Sequence, residues 1–173
     1  MISRRNFLKA ALSLTAAMPV RKVFALAETD RILHLYNIHT GERLSARYFE
    51  SGTYNHDTLN KINYLMRCHY TNEILPMDVN LLDLLCAIKD VFGHDREVHI
   101  ISGLRSRAYN EYLRSLGRKV VQNSLHLYGL AIDFAIPYVS MNELSRVAKS
   151  FSAGGVGKYP EFIHIDTGRV RYW

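Results

Sequence analysis

The sequence has few features that would cross-link the chain, divide it into repeats or anchor it in a membrane. It holds only two cysteines, Cys68 and Cys86, in 173 residues, and their spacing fits no zinc finger. It has no internal repeat, no low-complexity tract and, beyond its first residues, no apolar run of membrane length. These absences exclude a zinc finger and a repeat protein, and they leave one ordinary globular domain as the simplest organisation.

The two cysteines lie inside apolar segments whose spacing predicts helices. They either pair across a helical hairpin or serve as small buried apolar side chains. The apolar patterns around them favour buried thiols. The chain is long enough to bury a substantial core without disulfides.

The N-terminus has the pattern of an export signal. It opens with SRRNFLK, continues with the apolar run AALSLTAAMPV and reaches the small-x-small sequence ALA at residues 25–27, with no acidic residue. The adjacent Arg4 and Arg5 match a twin-arginine signal. We therefore expect residues 1–27 to be a signal peptide cleaved after Ala27. The twin-arginine translocase is then a transient partner, and residues 28–173 form a periplasmic domain.

Most of the excess positive charge belongs to that leader. The whole chain has 22 Lys and Arg against 16 Asp and Glu. The leader holds five of the cations and no acid, and subtracting five from 22 leaves 17 against 16. A domain so close to neutral does not support a nucleic-acid-binding surface, and we expect no such partner.

Hydrophobic periodicity predicts an α+β fold. Alternation around the turn HTGE predicts a hairpin with strands over residues 32–37 and 43–49. Spacings of three and four predict helices in HDTLNKINYLMRCHY, MDVNLLDLLCAIKDVFG, SRAYNEYLRSLG and SMNELSRVAKSF. Strands are predicted in EVHIISGL, GLAIDFAI and FIHID, followed by a second hairpin arm, GRVRYW. The glycine-rich GGVGKYP, just before FIHID, is predicted to be a loop that passes close to a substrate. Helices and strands are mixed without regular alternation, which is typical of the α+β class.

Two of the predicted strands carry polar side chains on one face. In GLAIDF, alternation places Asp133 beside residues with almost no side chain and sends Ile132 to the core. In FIHID, the same alternation places His164 and Asp166 opposite the isoleucines. Taken alone, His126 and His164 each fit a surface or hydrogen-bonded core histidine better than a metal ligand.

Taken together, the two strands predict a metal site. If they adjoin, His126, Asp133 and His164 supply two imidazoles and one carboxylate. Three protein ligands with an open fourth position are typical of a catalytic zinc, which acidifies a water molecule and polarises a carbonyl.

The same segments resemble a known family. SLHLYGLAID is similar to the S-x-H-x-x-G-x-A-x-D signature of the zinc D-Ala-D-Ala carboxypeptidases, a group that also includes lysostaphin-type enzymes and the hedgehog signalling domain. SGLRS with Asn110 upstream, and FIHID downstream, resemble the family's other two motifs in the same order. More narrowly, GGVGKYPEFIHIDTGRVRYW and LYNIHTGE resemble the YcbK-like branch of periplasmic murein endopeptidases. The resemblance covers essentially the whole of residues 28–173.

The resemblance implies a small antiparallel sheet that carries one zinc ion and packs against helices, as in the hedgehog and D-Ala-D-Ala peptidase domains. His126, Asp133 and His164 would hold the zinc, and Arg105 would bind a substrate carboxylate or stabilise the oxyanion. Relatives place a catalytic acid three residues before the last zinc histidine, which is Glu161 here. Asp166 competes with Glu161 for the role of general base, or orients a ligand imidazole instead.

The implied function is that of a monomeric, zinc-dependent murein endopeptidase acting on peptidoglycan stem peptides. Two alternatives stay open, a D-Ala-D-Ala carboxypeptidase of the same fold and a non-catalytic zinc- or wall-binding module. The sequence does not choose between 3-3 and 4-3 crosslinks.

Overall fold

Strands and helices form close to where the hydrophobic patterns predict them. The computed structural model describes residues 29–173, so the expected signal peptide and its cleavage after Ala27 lie outside the described residues. The described chain is an α+β domain with eight strands and four α-helices. The strands are β1 (Arg31–Asn37), β2 (Arg43–Glu50), β3 (Thr53–Tyr54), β4 (Glu97–Ser102), β5 (Ala131–Ala135), β6 (Gly155–Lys158), β7 (Ile163–Asp166) and β8 (Arg171–Tyr172). The helices are α1 (His56–Leu65), α2 (Val79–Phe92), α3 (Arg107–Ser115) and α4 (Met141–Ser150).

Side chains at the N-caps explain where the helices begin. Asp78 and Ser106 each accept a hydrogen bond from a backbone N–H in the first turn of α2 and α3. At α4, Ser140 accepts from the Glu143 backbone N–H and donates its hydroxyl to the Glu143 carboxylate. Ser140 therefore caps the N-terminus of α4, and the Glu143 carboxylate holds its hydroxyl in place.

All eight strands join one sheet in the order β3-β2-β1-β4-β5-β7-β6-β8. Most neighbours are antiparallel, but β1 pairs with β4 and β6 pairs with β8 in parallel. The expectation of a small antiparallel sheet is therefore not confirmed, because the sheet is large and mixed.

Two predictions near the C-terminus are wrong. The segment GGVGKYP is not simply a loop, because its residues 155–158 form β6. The arm GRVRYW does not fold back beside FIHID, because β8 runs parallel to β6 at the edge of the sheet. The strand β6 is not visible in the local residue pattern because glycine is depleted in strands. The parallel pairing of β8 with β6 has no local pattern either.

The core lies between one face of the sheet and helices α2 and α4. Ile132, Phe134, Ile163 and Ile165 on the central strands are fully buried against apolar residues of those helices, which include Leu81, Leu85, Ile88 and Leu144. The opposite face of the same strands is left for polar side chains, as alternation predicts.

Cys68 and Cys86 are both buried and free, so they form no disulfide. Within residues 29–173, no helix is both long and apolar enough to cross a bilayer.

Candidate metal centre and active site

A row of cross-strand partners forms the floor of the site. Asp133 on β5 lies opposite His164 on β7, and His164 in turn lies opposite Gly157 on β6. On the other side, Asp133 pairs with Ser102 at the end of β4. Cross-strand partners share one face of a sheet, so these residues stand side by side on the face opposite the core.

His126 reaches the row from outside the sheet. It lies on a short 3-10 helix, Leu125–Tyr128, directly before β5. Its Nδ1 is 2.8 Å from the carbonyl oxygen of Gly103, and a carbonyl can only accept. Nδ1 therefore donates to this carbonyl, and Nε2 is the ring nitrogen that faces Asp133, 3.2 Å from its Oδ1.

The three side chains meet at one point. Oδ1 of Asp133 is 2.7 Å from Nδ1 of His164 and 3.2 Å from Nε2 of His126. The two imidazole nitrogens are 3.3 Å apart. The two strands adjoin, which is the condition that the sequence analysis set, and the three side chains could together hold a metal ion.

The donor set fits zinc. A tetrahedral zinc with bonds of about 2.0–2.1 Å has neighbouring donor atoms about 3.3 Å apart. Two of the three separations match that value, and the shorter one is an ordinary hydrogen bond between His164 and Asp133. Two imidazoles and one carboxylate leave a fourth position for water or substrate, as in catalytic rather than structural zinc sites.

The electrostatics of Asp133 suit a cation. Burial alone would raise the pKa of its carboxyl, but the charges and hydrogen bonds of His126 and His164 outweigh burial and hold that pKa below its ordinary value. Asp133 is therefore an ionised carboxylate in a buried site, which is the form that binds a metal.

Asp166 lies behind His164, away from the meeting point. Its Oδ2 is 3.1 Å from Nε2 of His164, the ring nitrogen that does not face Asp133. Asp166 is fully buried and also accepts from Arg171 at 2.7 Å and from the backbone N–H groups of Gly155 and Gly168. Burial would raise the pKa of Asp166, but these hydrogen bonds lower it to about 2.

The glycines before β7 make room for the chain's own side chains. A Cβ at Gly155 would collide with the Asp166 carboxylate. A Cβ at Gly157 would lie 2.6 Å from the indole of Trp173, closer than real Cβ contacts come. Both glycines therefore have a role within the fold, and their predicted closeness to a substrate stays a prediction.

Arg105 borders the row at its β4 end. Its Nη2 is 3.4 Å from both Ser102 Oγ and Asp133 Oδ2, and the residue is 9% exposed. Its buried Nε has no hydrogen-bond partner among the described residues. An unpaired buried donor is costly, so this guanidinium is suited to an acceptor brought by a ligand.

Glu161 is in a different environment. It lies in the turn between β6 and β7, which is closed by a hydrogen bond from Tyr159 N to Phe162 O. Its side chain is exposed, and among the described residues it has no hydrogen bond or ion pair. Of the two predicted bases, only Glu161 keeps a carboxylate that is free to act.

Sequence reasoning missed two residues of the site. Arg171 forms the ion pair with Asp166, and the indole of Trp173 lies 5.4 Å from the His164 ring, centroid to centroid. Both come from β8 and the residue after it, and both reach the site through the parallel pairing with β6. No periodicity in GRVRYW indicates that pairing.

Comparison with known proteins gives consistent matches over nearly the whole chain. Residues 25–173 match the Peptidase_M15_2 family, described as peptidoglycan L,D-endopeptidase MepK. The peptidoglycan L,D-endopeptidase MepK of Escherichia coli K12 is 38% identical over 176 residues, covering 99% of this chain and 97% of that protein. A probable peptidoglycan L,D-endopeptidase MepK of Haemophilus influenzae is 41% identical over 156 residues, covering 87% of this chain and 84% of that protein. No solved structure matches the chain.

Proposed function

Since the chain belongs to the Peptidase_M15_2 family, that of peptidoglycan L,D-endopeptidase MepK, we propose that it is a zinc-dependent endopeptidase that hydrolyses peptide crosslinks of peptidoglycan. The observation that carries the proposal is the convergence of His126, Asp133 and His164 within hydrogen-bonding distance of one another. Asp133 and His164 lie on adjoining strands and His126 lies just before one of them, which also supports a fold of the hedgehog and D-Ala-D-Ala peptidase type. One zinc ion per chain is expected.

The metal, when bound, supplies Lewis acidity that acidifies a water molecule and polarises the scissile carbonyl. The protein residues prepare the ligands for it. The Gly103 carbonyl holds the His126 proton on Nδ1, and Asp166 holds the His164 proton on Nε2. The ring nitrogen on the other side of each imidazole could then bind the metal, once the proton that it shares with Asp133 is released, a common use of the groups behind a metal ligand.

Glu161 is the proposed general base. It would take a proton from the attacking water and pass it to the leaving amine. Asp166 is less suited because its two oxygens already accept from His164, Arg171 and backbone N–H groups. We assign Asp166 the positioning of His164.

Arg105 is proposed to bind a negatively charged oxygen of the substrate. Its Nε lacks a partner, and stem peptides of the cell wall carry free carboxylates.

Since the relatives are named L,D-endopeptidases, we propose the 3-3 crosslink between two diaminopimelates as the substrate. The 4-3 crosslink joins two D-centres and is not an L,D bond.

The remaining proposals concern the export of the protein, its location and its partners. Residues 1–27 would direct export through the twin-arginine translocase, and cleavage after Ala27 would release a periplasmic monomer. The near-neutral charge of residues 28–173 gives no reason to expect a nucleic-acid partner.

Purified sacculi test the proposed activity. The protein is incubated with sacculi, with and without a chelator, and the muropeptides are separated and identified by mass spectrometry. Loss of crosslinked dimers, blocked by the chelator and restored by zinc, is the expected result. Loss of pentapeptides alone would show a carboxypeptidase, and sacculus binding without any product would show a non-catalytic module.

A further inference from the structure

We propose that Trp173 forms the apolar wall of a substrate subsite beside His164 and receives the methylene chain of the crosslinking diamino acid. The inference rests on the proposed function. It adds a specificity-determining residue that lies outside the metal cluster and to which the resemblance assigns no role.

The indole is held in place from several sides. The backbone of Trp173 exchanges two hydrogen bonds with β6, to the Val156 carbonyl at 3.2 Å and from the Lys158 N–H at 3.0 Å. Its ring N–H donates to the Tyr159 hydroxyl at 3.1 Å, and the Arg171 guanidinium lies 5.0 Å from the ring centroid. A side chain fixed in this way loses little further entropy when a ligand binds.

Gly157 explains why the ring reaches the site. In the row across the sheet, Gly157 is the direct cross-strand partner of His164. Because Gly157 has no side chain, the indole of Trp173 fills the vacant position in that row, where a Cβ would be 2.6 Å from its Cε2 and Nε1. Trp173 thereby lies next to His164, although His164 is on β7, Trp173 follows β8, and β6 separates these two strands in the sheet.

The indole is nevertheless not sealed inside the protein. Trp173 is 48% exposed, whereas His126 and Asp133 are almost completely buried. A large, fixed and half-exposed aromatic residue beside a buried polar cluster has the features of a binding contact rather than of a core residue.

The two ends of the row differ in chemistry. Arg105 lies at the β4 end with an unpaired donor, and Trp173 lies at the β6 end with an apolar surface. A ligand that spans the metal cluster would meet a cation on one side and an indole on the other. A crosslinking diamino acid matches this pattern because it carries a free carboxylate and a run of methylene groups on either side of the reacting amide.

The test compares Trp173→Ala with wild type on a purified 3-3 crosslinked muropeptide dimer. Trp173→Ala is expected to raise KM about tenfold, with kcat and zinc content close to wild type, a change equivalent to about 1.4 kcal/mol of binding. Gly157→Ala should raise KM in the same direction, because the new Cβ displaces the ring. Trp173→Phe should restore part of the loss.

Tyr172→Ala is the matched control. Tyr172 is the adjacent, half-exposed aromatic, and its hydroxyl donates to the Lys149 carbonyl, on α4. It should keep the wild-type KM. Since Trp173 is the single tryptophan, wild-type emission should also change on rapid mixing with the dimer, before product appears.

The outcomes separate this inference from the proposed function. If wild type cleaves the dimer but Trp173→Phe, Trp173→Ala and Gly157→Ala all retain its KM, the subsite is wrong and the endopeptidase assignment stands. If wild type with bound zinc does not cleave any crosslink, both are wrong. Should Trp173→Ala fail to fold, Gly157→Ala and the emission change decide.

Discussion

Replacing Asp166 by asparagine should weaken zinc binding without removing any of the three ligands. Oδ1 of Asp166 accepts from Gly155 N, Gly168 N and Arg171 Nη1, and an amide oxygen can keep these contacts. Oδ2 accepts from His164 Nε2 and Arg171 Nη2. In the asparagine an NH2 group takes the place of Oδ2, so this donor faces the N–H donors of His164 and Arg171.

The imidazole can relieve this opposition by moving its proton. With the proton on Nδ1, Nε2 of His164 can accept from the asparagine NH2. Nδ1 is the nitrogen 2.7 Å from Asp133, where the metal would bind, and a protonated nitrogen cannot be a ligand. Loss of such an orienting group lowers metal affinity about 10- to 100-fold, which corresponds to about 1.4–2.7 kcal/mol.

The assay is a competition titration of zinc against a chelator of known affinity. Asp95→Asn, an exposed aspartate after α2, is the matched control and should bind zinc like wild type. If Asp166→Asn binds zinc with wild-type affinity yet loses turnover, Asp166 is the base, and its assignment as the residue that positions His164 is refuted.

Two further predictions concern the base and the core. Glu161→Gln should lower kcat about 10²- to 10⁴-fold while zinc content stays at one per chain, as steady-state kinetics and metal analysis would show, and unchanged kcat would exclude Glu161 as base. Leu85→Ala, in the buried face of α2, should lower the free energy of unfolding by about 2–5 kcal/mol in urea titrations. The exposed Val91→Ala on the same helix should change it by no more than about 0.5 kcal/mol, and equal losses for both would contradict the placement of the core.

Much of the site could be predicted because its residues lie on strands whose period of two is visible in the sequence. FIHID and GLAIDF each alternate apolar and polar residues, so the faces of His164, Asp166 and Asp133 follow directly. Their adjacency does not follow from alternation. It came from the resemblance, and the pairing of β5 with β7 agrees with it.

Other features could not be predicted because they depend on contacts between distant segments. Gly155 and Gly157 lower the strand propensity of β6, yet only glycine fits there because Asp166 and Trp173 occupy the space that side chains would need. Likewise, β1 and β4 are parallel although helices α1 and α2 and two other strands separate them in sequence. Parallel pairing needs a long connection, and no local pattern specifies which strand the chain rejoins.

The zinc content of protein that is fully active on crosslinked dimers is the most direct test of the proposed metal centre. Wild type is expected to hold one zinc per chain, and a folded Asp133→Ala variant is expected to hold none and to be inactive. Full crosslink cleavage by zinc-free wild type, or retained zinc in Asp133→Ala, would contradict it.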